Sequence, residues 1–185
     1  MTCDLPKALT VGGVERPIRS DYRAALDICA ALADPDLTHR EKTLAALCIC
    51  YLRLEEIPPE QYREALERCF WFLDGGEQPV QGGRPGPRLM DWEQDFPRIV
   101  APVNRVLGRE VREGPCHWWT FLAAYYEIGG DCLFAQIVRV RDALARGKGL
   151  DKADRAWYRR NRELVDLRQR YTGEEEQLLK EWGGG

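Results

Sequence analysis

Histidine and methionine are nearly missing from this chain, with two of each in 185 residues. His39 and His117 alone cannot build a histidine-rich metal centre. Structural zinc takes Cys-x₂₋₄-Cys pairs joined by a second pair of Cys or His. Cys48-Ile49-Cys50 is spaced too closely, and no second pair accompanies it. Long hydrophobic runs are absent too, and none approaches the ~20 residues that cross a bilayer. Met1 to Lys7 lacks a basic stretch followed by an apolar one, so no secretory signal is expected. Cysteine is present, but in odd number: Cys3, Cys29, Cys48, Cys50, Cys69, Cys116 and Cys132. Most lie in apolar helical patterns, which argues for buried thiols in a reducing cytoplasm and against a disulfide framework.

Catalytic constellations are equally scarce. Cys116 and His117 are adjacent, but neighbours on a helix point in different directions, so His117 is expected to make a structural hydrogen bond near a helix start. Asp91, Glu93 and Asp95 would share one side of an extended segment and could hold a divalent cation. An apolar helical face follows them directly, so they read as acids complementing a helix dipole. Gly82-Gly83-Arg84-Pro85-Gly86 and Gly147-Lys148-Gly149 lack the strand and the Gly-Lys-Ser/Thr context of a phosphate loop. No catalytic residue, cofactor or metal is expected, and the chain reads as a non-enzyme.

What is present is material for a helical core. The chain is 44% hydrophobic and 31% charged, enough of each for one soluble domain. Leu9-Thr10-Val11 and Val14-Glu15-Arg16 around Gly12-Gly13 predict a tight β-hairpin closed by Pro17. Tyr22, Ala25, Leu26, Cys29 and Leu32 recur at helical spacing. Thr38 and Glu41 form a capping box ahead of a stripe of Leu44, Leu47, Cys48, Tyr51 and Leu52. A third stripe is Tyr62, Ala65, Leu66, Cys69, Phe70 and Leu73, ended by Gly75-Gly76. Residues 77–88 read as an exposed Gly/Pro-rich loop.

Beyond that loop, Ile99, Val100, Val103 and Leu107 continue a helix in which Pro102 predicts a kink or a split. Trp118, Trp119, Leu122, Tyr125 and Tyr126 mark the next helix, and Leu133, Phe134, Ile137 and Val138 another. From Asp151 to Tyr171 a polar helix is pinned by Trp157, Leu164, Leu167 and Tyr171. The expectation is a mainly α single domain of about six helices with an N-terminal hairpin, over 1–172. An acidic, glycine-ended tail would follow over 173–185.

Charge is distributed unevenly. Residues 139–170 carry 11 Lys or Arg and 5 Asp or Glu, a balance of 11 − 5 = +6, so the rest of the chain carries −3 − 6 = −9. Arg155, Arg159 and Arg162 line one helix face, and Arg139 and Arg141 extend the basic region. A solvated face with local pairs such as Arg159–Glu163 ranks first among its readings, a protein contact second and nucleic-acid phosphates third. Such asymmetry also suits contact between identical subunits, so a homo-oligomer stays open. Of Trp118-Trp119, one can be core while the other reaches a partner, although both buried is the commoner outcome. Trp71-Phe72 raises the same question.

Several stretches together resemble one family, the tail assembly chaperones of long-tailed bacteriophages and prophages, encoded near the tape measure gene. They are Pro17-Ile18-Arg19-Ser20-Asp21-Tyr22-Arg23 after the hairpin, Trp71-Phe72-Leu73-Asp74-Gly75, Met90-Asp91-Trp92-Glu93-Gln94-Asp95, and His117-Trp118-Trp119-Thr120-Phe121. Ile137, Arg141, Trp157-Tyr158-Arg159-Arg160 and Leu164 complete the series. The likeness runs from about Leu9 to Leu167, and the His-Trp-Trp-x-Phe element is its most specific part. The Gly/Pro-rich linker, the many arginines and the acidic tail depart from the family pattern.

The resemblance implies a non-catalytic protein that binds the long helical tape measure protein and helps recruit tail tube subunits. It would act in the host cytoplasm, without membrane, and stay out of the mature virion. It also raises the idea of a longer frameshifted product near Gly183-Gly184-Gly185. Trp118, Trp119, Arg139, Arg141, Arg155, Arg159 and Arg162 are the candidate partner contacts. A nucleic-acid-binding module using residues 139–170, or a structural tail or connector component, are the alternatives.

Overall fold

Gly12 and Gly13 turn the chain at once, with φ of 57° and 76°. Only a residue without Cβ adopts this pair cheaply, and the two left-handed residues match the twist of a two-residue hairpin. Strands β1 (Ala8–Val11) and β2 (Val14–Pro17) pair antiparallel, with Leu9 opposite Arg16 and Val11 opposite Val14. Pro17 is the last residue of β2, where its missing N–H costs nothing to the ladder. A computed structural model describes residues 4–77, 86–169 and 172–173.

The fold is mainly α with this single hairpin, as the periodicity predicts. The described residues hold eight α-helices rather than about six: α1 Tyr22–Ala33, α2 His39–Cys50, α3 Tyr62–Leu73, α4 Trp92–Leu107, α5 Trp118–Tyr126, α6 Leu133–Ala145, α7 Lys152–Arg160 and α8 Arg162–Val165. Part of the surplus comes from the polar stretch after Asp151, which divides at Asn161 (φ −121°) instead of running on as one helix. Most of the 77–88 loop and nearly all of the 173–185 tail, with its three final glycines, lie outside the described residues. No helix among the described residues is long and apolar enough to cross a membrane.

Contacts gather into two compact units. Among the described residues, the first comprises 4–77, 117–119, 169 and 172–173, and the second 86–116 and 120–168. In the first unit, α1, α2 and α3 enclose Tyr22, Ala25, Ile28, Ala46, Leu47, Cys50, Cys69 and Phe72, all buried. The hairpin adds Leu9 and Val11 to this core. Its turn is tied to α3 by a hydrogen bond from the Gly12 N–H to Glu64 Oε2 at 3.0 Å.

The capping box forms as expected: Thr38 Oγ1 accepts from the Glu41 N–H, and Glu41 Oε2 accepts from the Thr38 N–H at 2.8 Å. Glu41's carboxyl is accordingly held below its ordinary range, chiefly by hydrogen bonding to Thr38. At the other end of α2, Arg19 Nη1 donates to the carbonyls of Cys48, Ile49 and Tyr51 at 2.8–3.0 Å. A cation on the carbonyl end of a helix satisfies groups that have no partner within it.

Two stripes are rotated from the sequence expectation. Helix α2 buries Ala46, Leu47 and Cys50, while Leu44 and Cys48 are exposed. Helix α3 buries Ala65, Cys69 and Phe72, and exposes Phe70. Small side chains on the buried faces let the neighbouring helices approach closely. Since Phe70, Trp71 and Phe72 are all aromatic, local periodicity could not choose which ring points inward.

In the second unit, Asp91 caps α4 by accepting from the Gln94 N–H at 2.8 Å. Pro97 and Pro102 both lie inside α4, and the helix runs on across them, so of the kink or split expected at Pro102 the split does not occur. Pro102 is buried, and its packing offsets the lost backbone hydrogen bond. Gly108, at φ 66°, ends the helix. The core is formed by Ile99, Val103, Val111, Phe121, Phe134, Ile137, Val140 and Val165. Trp92, Phe96, Phe121, Tyr125 and Phe134 link their rings through it at centroid separations of 5.0–6.5 Å.

Candidate functional site

In the first unit, His117, Trp118 and Trp119 form a clasp on the end of α3. The chain reaches it through an isolated bridge between Asp21 and His117, and the Trp118 N–H donates to the Ser20 carbonyl at 2.8 Å. His117 Nδ1 accepts from the Trp119 N–H at 3.1 Å, so the ring proton belongs on Nε2, which lies 2.8 Å from the Pro6 carbonyl and donates to it. His117 is thus a structural hydrogen-bonding group at a helix start, as read from the sequence, and both its nitrogens are used.

The two indoles divide the last carbonyls of α3 between them. Trp118 Nε1 donates to the Leu73 carbonyl and Trp119 Nε1 to the Phe72 carbonyl, each at 2.8 Å. These groups fall in the final turn of α3, where carbonyls lack helical partners. Trp118 is buried and Trp119 half-buried. Trp119 meets Trp71 edge-on at 5.3 Å and stacks on Phe72 at 6.3 Å. Gly76, at φ +85°, lies directly beneath, and a Cβ there would stand 2.8 Å from the Trp119 ring.

In the second unit, the buried polar contacts are made by charge. Arg141 is buried on α6, and its guanidinium makes five hydrogen bonds. Two reach Asp95, from Nη1 to Oδ2 at 2.6 Å and from Nη2 to Oδ1 at 3.0 Å. The others go to the carbonyls of Leu89, Leu164 and Val165. Asp95 is fully buried and also accepts from the Asp91 N–H at 2.9 Å. A forked guanidinium fits a carboxylate edge-on, and an interior pair survives when its remaining donors are satisfied as these are.

The other basic candidates are sorted by their acids. Arg139 grips Asp154 with both terminal nitrogens at 2.5 and 2.6 Å, which lowers the Asp154 carboxyl below its ordinary range. Arg162 holds Asp166 at 2.8 Å, and Tyr158 donates its hydroxyl to the same carboxylate at 2.7 Å. That hydrogen bond raises the Tyr158 hydroxyl above its ordinary range. The pairing expected for Arg159 with Glu163 is replaced by Arg162 with Asp166, because the helix breaks between Arg159 and Arg162. Arg155 donates to the Leu150 carbonyl at 3.0 Å, and Arg159 is exposed on α7.

Of the seven candidate contacts, Trp118 and Arg141 therefore lie in the interior, with their polar groups engaged inside the fold. Arg139 and Arg162 reach solvent while paired, Trp119 is half-buried, and Arg155 and Arg159 are exposed on one helix face. Asp95 as the partner of Arg141, Asp154 as the anchor of Arg139, and the Trp119 ring over Gly76 were not marked by the sequence pattern. Contacts spanning many residues leave no local signal.

Chemical groups are few. Among the described residues, no cluster of three or more His, Cys, Asp or Glu is arranged to hold a metal ion. Cys50 and Cys69 are buried together, and the hydrogen bond between them, with burial, pushes the Cys50 thiol up. Burial likewise lifts Cys29 to about 11, which keeps it a thiol near neutrality. No protein-family model matches the chain, and neither a curated protein nor a solved structure shows significant similarity to it.

Proposed function

We propose that this protein is a non-catalytic tail assembly chaperone that binds a tape measure protein and helps recruit tail tube subunits. One observation carries the reading. The separate stretches on which the resemblance rests meet one another in space, within each unit.

In the first unit, Ser20 from the first stretch accepts from Trp118 of the His-Trp-Trp element, and the two indoles bind Phe72 and Leu73 of the middle one. In the second unit, Asp95 ends the Met90–Asp95 stretch and pairs with Arg141, which also binds the Leu164 carbonyl. Motifs that resemble a family in order alone would have no reason to be joined by specific hydrogen bonds. This convergence supports reading them as parts of one inherited scaffold. It also assigns most of them to holding the fold, so client contact falls to the surface around them.

The test is co-expression with the tape measure protein encoded nearby, followed by size-exclusion chromatography. Solubilisation and co-elution of the tape measure are the expected result. An insoluble tape measure, with this chain eluting alone, would end the chaperone reading.

A further inference from the structure

The outward face of α7 carries only cations and alanines. Its exposed residues are Lys152, Ala153, Arg155, Ala156, Arg159 and Arg160. Four of them carry positive charge, two are alanine, and none is a carboxylate. Asp154, Trp157 and Tyr158 are the half-buried residues of the same helix. Lys152, Arg155, Ala156 and Arg159 follow the i, i+3, i+4, i+7 rule and form one stripe, with Ala153 and Arg160 in the adjacent row. Ion pairs nearby use Arg139, Arg146 and Arg162 instead. Among the described residues, none of the ion pairs uses these four cations.

We infer that this face docks an acidic helical segment of the client protein, an assignment that rests on the client reading above. Charge complementarity selects the sign of the partner. The two alanines select its shape, because small side chains let a second helix approach to about 8–10 Å between axes while the longer cations reach around it. The ends of the strip select its length. Asp151 stands immediately before Lys152, and beyond Arg160 the next cation, Arg162, is held by Asp166 while Glu163 is exposed beside it. The cationic window is thus about 12 Å long at 1.5 Å per residue, or about two helical turns. An acidic helix concentrates its carboxylates within such a window. A polyphosphate chain would run past both acids, and the chain's overall charge of −3 would oppose it.

The test uses the full chain and a labelled helical peptide of Glu-Ala-Ala-Ala repeats, read by fluorescence anisotropy at low salt. Wild-type protein should bind it, and R155E/R159E should weaken binding about tenfold or more. R146E/K148E makes the same change in net charge elsewhere and should weaken it by less than about twofold. If the glutamate pair disturbs the circular dichroism spectrum, R155Q/R159Q provides the same comparison. Equal loss in both double variants, absence of peptide binding, or tighter binding of a DNA duplex with the same sensitivity to Arg155 and Arg159 would each overturn the assignment. Co-elution separates the two proposals. Loss of client from R155E/R159E but not from wild type supports the surface. Client retained by both variants sinks the surface and leaves the chaperone reading standing. Failure of wild type to retain client sinks the chaperone reading, and with it the assignment of this strip to a client.

Discussion

The two units fasten their central joints by different physics. In the first, two neutral indole N–H groups close the carbonyl end of α3, and aromatic area does the packing. In the second, a buried guanidinium clamps a buried carboxylate and three backbone carbonyls. Neutral hydrogen bonds are individually modest, so losing one partner is a limited loss. A buried charge whose partner is removed has nowhere to go. The lesson is that equal burial does not mean equal tolerance: the first joint should yield by degrees, the second sharply.

The largest effect should come from Arg141. Arg141→Met leaves Asp95 buried without its cation and should cost about 3–5 kcal/mol in urea unfolding. The double variant Asp95→Leu with Arg141→Met should recover most of that loss, because two apolar groups replace the pair. A double variant as weak as the single one would show that the carbonyl contacts of Arg141, rather than the charge pairing, hold the joint.

The corresponding change in the first unit is Trp118→Phe. It keeps a ring but removes the donor to the Leu73 carbonyl, with an expected cost of about 1–3 kcal/mol. A loss as large as that of Arg141→Met would erase the contrast between the joints. Gly76→Ala should cost about 1–2 kcal/mol from the left-handed backbone alone. It should also shift tryptophan emission, since the added Cβ meets the Trp119 ring at 2.8 Å. Unchanged emission would show that the clasp is looser than these contacts imply.

The smallest effect concerns acid. Glu110 caps a short 3₁₀ turn, Val111–Glu113, and hydrogen bonds with Arg112 and Asn104, so its carboxyl is held down to about 2. A depressed carboxyl stabilises the fold above its ordinary pKa. That contribution is lost as pH falls from about 4.5 towards about 2. Glu110→Gln should therefore lower the melting temperature slightly at pH 7, and the difference from wild type should narrow in acid. A difference that grows in acid would reverse the sign and remove this group from the pH response.

Legibility followed the range of the interaction. The hairpin turn, the Thr38–Glu41 box and the Gly75-Gly76 stop all depend on residues within a few positions, and each was visible in the sequence. The structural role of His117 was visible for the same reason. Burial of Phe72 over Phe70, and of Ala46 and Cys50 over Leu44 and Cys48, was not. Nor was the interior place of Arg141, which looked like one more member of a basic surface.

By itself the sequence determined that this chain is mainly helical with one hairpin, and where most helices begin and end. Caps, turns and periodicity act over one or two turns of backbone, so their physics is written locally. Only the tertiary structure decided which face of each helix turns inward and which charges stay at the surface. Asp95 and Arg141 lie 46 positions apart, and Trp118 and Leu73 lie 45 apart. A contact across such a distance is chosen by the packing of whole helices, which no local pattern records.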